Sequence, residues 1–303
     1  MAFTNTIALA ENYIPLLDAV YKKSSLTNDL QAPSNIVRDT IQADTIYIAK
    51  TSIQGLGDYT RNSGYTDGDV TFSWQTHTFT QDRGRRFLVD DQDNIETVNL
   101  AFGTLADEFI RTKVAPEVDA YRFATLFSNA GTSATADLTK STVDTALEAA
   151  QVVLDNAEVP KEGRILYATP SIVSAIRQSD NYVRNLNSNV ADGINNMFST
   201  YNEMKVVEVP QARFYTAITQ YDGSTGGQEA GGYIKNVSTG KNLNFMIVHP
   251  TAALGITKTA KPKIVTPEMN QTADAYLFGY RLYHDIFTPD NKTDGIYAHY
   301  ATS

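Results

Sequence analysis

Apolar positions along the chain recur with two periods, and the switches between them divide it into elements. Tyr13, Leu16, Leu17, Val20 and Tyr21 fall at helical spacing, followed by a polar linker around Ala32, Pro33, Ser34 and Asn35. The stripe is too small to bury itself, so this arm is expected to pack on the body or on a neighbouring copy. A strand is predicted over Asp44–Thr51 and a returning strand over Val70–Phe79. In the second, Val70, Phe72 and Trp74 share one face, and Thr71, Ser73, Gln75 and His77 share the other. The tip between them holds Gly55, Gly57, Gly64 and an Asp67–Gly68 turn signal, and runs for roughly eighteen residues. Hairpin connections usually take about two to five. A long, glycine-rich hairpin with polar alternation on one side is hard to bury within one copy.

Beyond the hairpin the period becomes helical. Asp93 or Asn94 can cap a helix carrying Ile95, Val98, Phe102, Leu105 and Phe109, with Asp107 and Arg111 four residues apart for support. The stripe resumes through Val118, Tyr121 and Thr125 after Pro116, and an interior proline costs roughly 3 kcal/mol, so a kink or break is expected near Thr112. Ser141 and Asp144 have capping-box spacing before a helix with Val143, Leu147, Ala150 and Leu154. A strand at Arg164–Tyr167 leads to Thr169 and Pro170, an N-cap and N1 pair opening a helix through Ile172, Val173 and Ile176. A strand at Lys205–Val209 completes a compact α/β unit. Residues 222–232 form a glycine-rich loop, and strands recur at Asn244–His249 and Lys263–Thr266. In a long strand over Ala273–Phe287 both faces are partly apolar, which predicts cover on both sides.

Composition narrows the function. The 303 residues bury about three quarters of their unfolded surface and exceed one comfortable core, so two subdomains are expected. No run of about eighteen apolar residues occurs, and MAFTNTIALA lacks the basic and continuous apolar regions of a secretion signal. A soluble, cytoplasmically made protein without a membrane partner is expected. The absence of cysteine excludes disulfides, thiolate nucleophiles and zinc-thiolate or iron-sulfur sites. A net charge of −9 argues against wrapping nucleic acid, though not against a container for it.

The motif search yields no catalytic or cofactor site. VSTGKN at 237–242 has Lys235 where a phosphate loop needs glycine and Asn242 where it needs Ser or Thr, so it reads as a hairpin turn. Asp90, Asp91 and Asp93 fail the calcium-loop spacing at Ile95, and DNKTDG at 290–295 fails at Lys292. His77, His249, His284 and His299 form no metal-ligand pair, and His284 and Asp285 should diverge as strand neighbours. Arg83, Arg85 and Arg86 are the one basic cluster. Beside Asp82, Asp90 and Asp91 they favour ion pairing within or between subunits over phosphate contact. Trp74, the only tryptophan, is either strand packing or an interface anchor.

The order of arm, long hairpin, long helix, α/β unit and aromatic closing strand resembles the major capsid proteins of tailed bacteriophages, an α+β fold of the Hong Kong 97 type. DRGRRFLVDDQDN, VAPEVDAYRF, ATPSIVSAIRQSDNYVRN, KVVEVP and FGYRLYHDIF are similar to their counterparts in phages of Gram-positive hosts. The resemblance covers most of the chain from about residue 40 onward, and its weight rests on the order of these phrases.

The resemblance implies an N-terminal arm at 1–45, an extended E-loop hairpin at 46–90, and a spine helix of the peripheral domain at 91–137. It also implies an axial domain at 138–255 and peripheral closing strands at 256–303. It implies self-assembly into hexamers and pentamers of a virion shell, built in the host cytoplasm, that encloses double-stranded DNA without binding it specifically. A portal protein, a separate scaffolding protein and a decoration protein are the implied partners. Tyr59, Arg61, Tyr65, Trp74, Arg83, Arg85 and Arg86 become candidate inter-subunit contacts. Some members join an E-loop lysine to a neighbour's asparagine, but residues 51–90 contain no lysine, so no cross-link is expected. With about 45 residues before the hairpin, no cleaved scaffolding segment is expected. The alternatives are an encapsulin-type compartment and an α/β hydrolase or transferase built on residues 138–250.

Overall fold

The computed structural model describes residues 25–32, 38–39, 44–62, 64–91, 100–179 and 200–302. The first amphipathic stretch and the Asp93–Val98 helix start lie outside them. The strands are β1 (Arg38–Asp39), β2 (Thr45–Ile53), β3 (Val70–Thr78), β4 (Gln81–Asp90), β5 (Thr132–Thr135), β6 (Ile165–Ala168) and β7 (Thr200–Tyr201). They continue as β8 (Met204–Glu208), β9 (Ile218–Gln220), β10 (Tyr233–Lys235), β11 (Leu243–Val248), β12 (Leu254–Val265), β13 (Ala275–Phe287) and β14 (Ile296–Tyr300). The helices are α1 (Leu100–Phe109), α2 (Ala115–Ser128), α3 (Val143–Asn156) and α4 (Pro170–Gln178).

A six-stranded sheet in the order β5-β14-β11-β6-β8-β7 forms the main core. Successive residues of its central strands point to opposite layers. Leu166, Ala168, Phe245, Ile247 and Tyr297 meet α3 and α4 through Leu147, Leu154, Ile172 and Ile176. Their alternates Ile165, Tyr167, Met246, Val248 and Ala298 meet α2 through Phe123 and Leu126. Both faces are covered, which is why these strands read as nearly unbroken apolar runs. The second sheet, β12-β13-β4, packs Phe278, Tyr280 and Leu282 against Ala106, Ile110, Ala115 and Val118. The bent helix thus touches one sheet with its first half and the other with its second.

Several expectations change. The break predicted near Thr112 is a π-helical turn over Ile110–Val114, in which the Ala115 N–H donates to the Ile110 carbonyl. Widening one turn moves Pro116 into the first turn of α2, where a missing N–H costs nothing. Arg111 pairs with Glu108 at 2.6 Å, the nearer neighbour one turn back, and not with Asp107 as its salt-bridge partner. The capping box does not form: the N-cap of α3 is Thr142, whose hydroxyl accepts from the Thr139 N–H at 2.9 Å, one position past Ser141. Thr169 and Pro170 open α4 as expected. β13 is covered on both sides only over His284–Phe287; before that Arg281 is exposed, held by the Asp82 carboxylate on the open face. Residues 256–303 do not stay together either, because β12 and β13 join β4 while β14 sits between β5 and β11.

Candidate functional site

The hairpin β2–β3 pairs antiparallel from Thr45↔Thr78 to Ile53↔Val70. Directly opposed residues share a face. Ile46 and Ile48 anchor its base in a cluster with Phe79, Leu254 and Phe287. Further out, the same face bears Lys50 and Gln75, which hold the Asp290 carboxylate at 3.4 and 2.6 Å. The body therefore grips the hairpin through its polar face. The opposite face carries Ala49, Thr51 and Ile53 against Trp74, Phe72 and Val70. Ile53 is 71% exposed, Phe72 57% and Trp74 45%, and the Phe72 and Trp74 rings meet edge-on at 5.3 Å. At the tip Tyr59 and Tyr65 touch at 5.0 Å, both exposed with Arg61. An apolar strand face in water is a docking surface or an aggregation hazard.

The arginine cluster divides. Arg83 pairs with Glu117 and donates to the Tyr221 carbonyl at 2.8 Å. Burial raises the Glu117 carboxyl, and the guanidinium pulls it back. Arg85 donates to the Ala230 and Glu229 carbonyls at 2.8 and 2.9 Å, strapping the 222–232 loop across a groove of about 1590 Å³ between β4, β13 and the bent helix. Gly231 sits at φ +66, a backbone conformation that L side chains rarely adopt, so glycine is favoured at this point of the loop. Arg86 is exposed. The expected partner Asp82 pairs instead with Arg281, its diagonal neighbour across the β4–β13 ladder.

Sequence reasoning missed the buried polar cluster under α2. Asp119, fully buried, accepts from Ser25 Oγ at 2.9 Å, the Leu26 N–H at 3.0 Å, Thr27 Oγ1 at 2.8 Å and Arg213 at 3.2 Å. Arg122, one turn on and also fully buried, donates to Thr27 Oγ1 at 3.0 Å. Leu30 follows into the main core. The two residues hold Ser25–Thr27 against α2. A carboxylate and a guanidinium three residues apart inside the apolar stripe of VAPEVDAYRF were the available signal.

Asp285 and His284 make no hydrogen bond to each other, and both meet Tyr121. Asp285 accepts from Thr80 and Tyr121, while His284 packs its ring edge-on to Tyr121 at 5.8 Å. Burial, then the nearby Arg122 and Arg83, push the His284 pKa down to about 3. Below about pH 6.5 the unfolded chain takes up a proton here that the folded chain refuses. The fold is expected to lose up to about 1.4 kcal/mol per pH unit from this group as pH falls. Denaturant titrations at pH 7 and pH 5 should show a smaller acid loss in His284→Gln than in the parent; equal losses would contradict the assignment. His249 sits between Thr251 Oγ1 at 2.7 Å and the Glu162 carbonyl at 3.1 Å. No group of His, Asp or Glu among the described residues is placed to hold a metal ion, and none of their helices is long and apolar enough to cross a membrane.

No family model and no curated protein matches the sequence. Solved structures match over most of its length. The mature capsid of bacteriophage PhiM1 gives a TM-score of 0.60 at 11% identity, over 87% of this chain and 84% of that one. The capsid of cyanophage P-SCSP1u gives 0.59 at 11%, over 92% and 88%. A virus-like particle from Pyrococcus furiosus gives 0.51 at 10%, over 95% and 99%. The chain has the mixed α+β fold of bacteriophage capsid subunits, a fold it shares with that particle.

Proposed function

We propose that the chain is the major capsid protein of a tailed bacteriophage, self-assembling as hexamers and pentamers into the shell that encloses the genome. The hairpin carries this reading: its own body holds the polar face, and on the opposite face Ile53, Val70 and Phe72 are exposed, a surface for a second copy to cover. β2 and β3 correspond to the E-loop, the bent helix to the spine, and the six-stranded sheet to the axial domain around the symmetry axes. The peripheral domain is then the β12-β13-β4 sheet with α1, and β14 returns the chain to the axial sheet. Heterologous contacts that close by symmetry supply shell stability. A separate scaffolding protein, a portal and packaged DNA follow as partners.

Negative-stain microscopy with light scattering on the purified protein, alone and with nuclease-treated lysate of expressing cells, tests this. Shells, tubes, hexamers or pentamers are expected. A monodisperse monomer or dimer that never assembles would overturn the reading, and shells filled with co-purified enzyme would assign the chain to a cargo compartment instead.

A further inference from the structure

The sequence contains four Asp–Gly bonds, at Asp67, Asp192, Asp222 and Asp294; Asp192 lies outside the described residues. Asp–Gly is the dipeptide in which the next backbone nitrogen can most easily reach the aspartyl carboxyl, because glycine offers no side chain to obstruct it. Whether the reaction occurs depends on the freedom of the carboxyl and of that nitrogen. The three described bonds differ in both.

Asp222 is held. Its carboxylate accepts from the Ser224 and Thr225 N–H groups at 2.9 Å each and from Thr225 Oγ1 at 2.6 Å. These bonds keep the carboxyl well below its usual range, so the protonated form that loses water is scarce. Asp294 is held differently: its bond closes the 3-10 turn Asp290–Gly295, Gly295 is buried, and its carbonyl accepts from the His249 N–H at 2.9 Å. Asp67 has neither restraint. It and Gly68 are exposed at the hairpin tip, past the last β2–β3 pair. Among the described residues the Asp67 side chain has no hydrogen-bond or ion-pair partner, and a Cβ built at Gly68 meets only Gln54 Oε1, at 3.9 Å. The adjacent N–H that is tied down belongs to Asp69, which donates to that same oxygen at 3.1 Å.

We infer that the Asp67–Gly68 bond is a site of spontaneous isoaspartate formation in the unassembled subunit. The Gly68 nitrogen attacks Asp67 Cγ; the new N–Cγ bond forms as the Cγ–OH bond breaks, and the hydroxyl leaves as water with the nitrogen's proton. Water then adds to the main-chain carbonyl of the cyclic imide and breaks its bond to nitrogen, which regains a proton. No mass or electrons are gained or lost, and the chain now runs through Cβ and Cγ. The hairpin tip is lengthened by one methylene and its carboxylate is displaced.

The test is peptide mapping of the purified, full-length, unassembled protein aged at pH 6, with isoaspartate located by electron-transfer fragmentation. Trypsin places the three bonds in separate peptides, Asn62–Arg83, Phe214–Lys235 and Thr293–Ser303. Isoaspartate is expected to accumulate at Asp67 at least roughly tenfold faster than at Asp222, whose hydrogen bonds must first be released. It should vanish from the first peptide in Asp67→Glu, whose longer side chain disfavours the ring. Equal rates at Asp67 and Asp222, or an unmodified first peptide, would overturn the inference. The same ageing of assembled particles bears on the proposed docking of the tip, which predicts slower reaction there. A tip that reacts equally fast in particles would count against that docking and leave the free-subunit result intact.

Discussion

Asp119→Ala is expected to lower the stability of the subunit by roughly 3–5 kcal/mol, the cost of leaving a buried charge partner uncompensated. The carboxylate is fully buried and gathers donors from the amino-terminal segment and from Arg213. Its removal strands the Ser25 and Thr27 hydroxyls and takes the carboxylate partner from Arg213. Asp119→Asn keeps acceptor capacity and should lose less, which separates hydrogen bonding from charge. Because residues 25–32 are tethered here, limited proteolysis of Asp119→Ala should cut earliest within them. A urea midpoint shift equivalent to under about 1 kcal/mol would show that the cluster is not the tether described.

The second large effect concerns assembly. Phe72→Ser with Ile53→Ser removes two exposed apolar side chains that the subunit's own core does not use. Subunit unfolding should move by no more than about 0.5 kcal/mol, as for other surface changes. Aromatic anchors at interface centres are each worth about 2 kcal/mol or more, and every copy in a shell repeats the loss. The variant is expected to stay folded and unassembled under conditions where the parent forms particles. Thr71→Ser with Ser73→Ala, on the other face, is the control and should assemble normally. Particles of ordinary yield from the double apolar variant would remove the hairpin face from the account.

Much of this architecture was legible in the sequence because it rests on local periodicity. Val70, Phe72 and Trp74 alternate as written, the hairpin closes in the register their faces imply, and Pro116 forced a disturbance near Thr112. What periodicity could not convey was partner choice. Arg83 and Arg85 were set beside Asp82, Asp90 and Asp91 by proximity in sequence, whereas the fold brings Glu117 and the 222–232 carbonyls to them. Asp82 was claimed by Arg281, its near neighbour across the β4–β13 ladder. β14 was grouped with β12 and β13 because it follows them, but its pairing with β5 and β11 is non-local and carries no sequence mark. Asp119 and Arg122 were concealed because a buried charged residue and a solvated one look alike in a single sequence.

Trp74, the sole tryptophan, reports directly on whether the apolar hairpin face meets another copy. Its 45% exposure in the isolated subunit makes it accessible to a collisional quencher. Acrylamide quenching of tryptophan fluorescence, compared between free subunits and purified particles, is the measurement closest to the central claim. Docking predicts a blue-shifted emission and a several-fold drop in quenching on assembly, from burial of an aromatic anchor. Particles in which Trp74 remains as accessible as in the free subunit would contradict it.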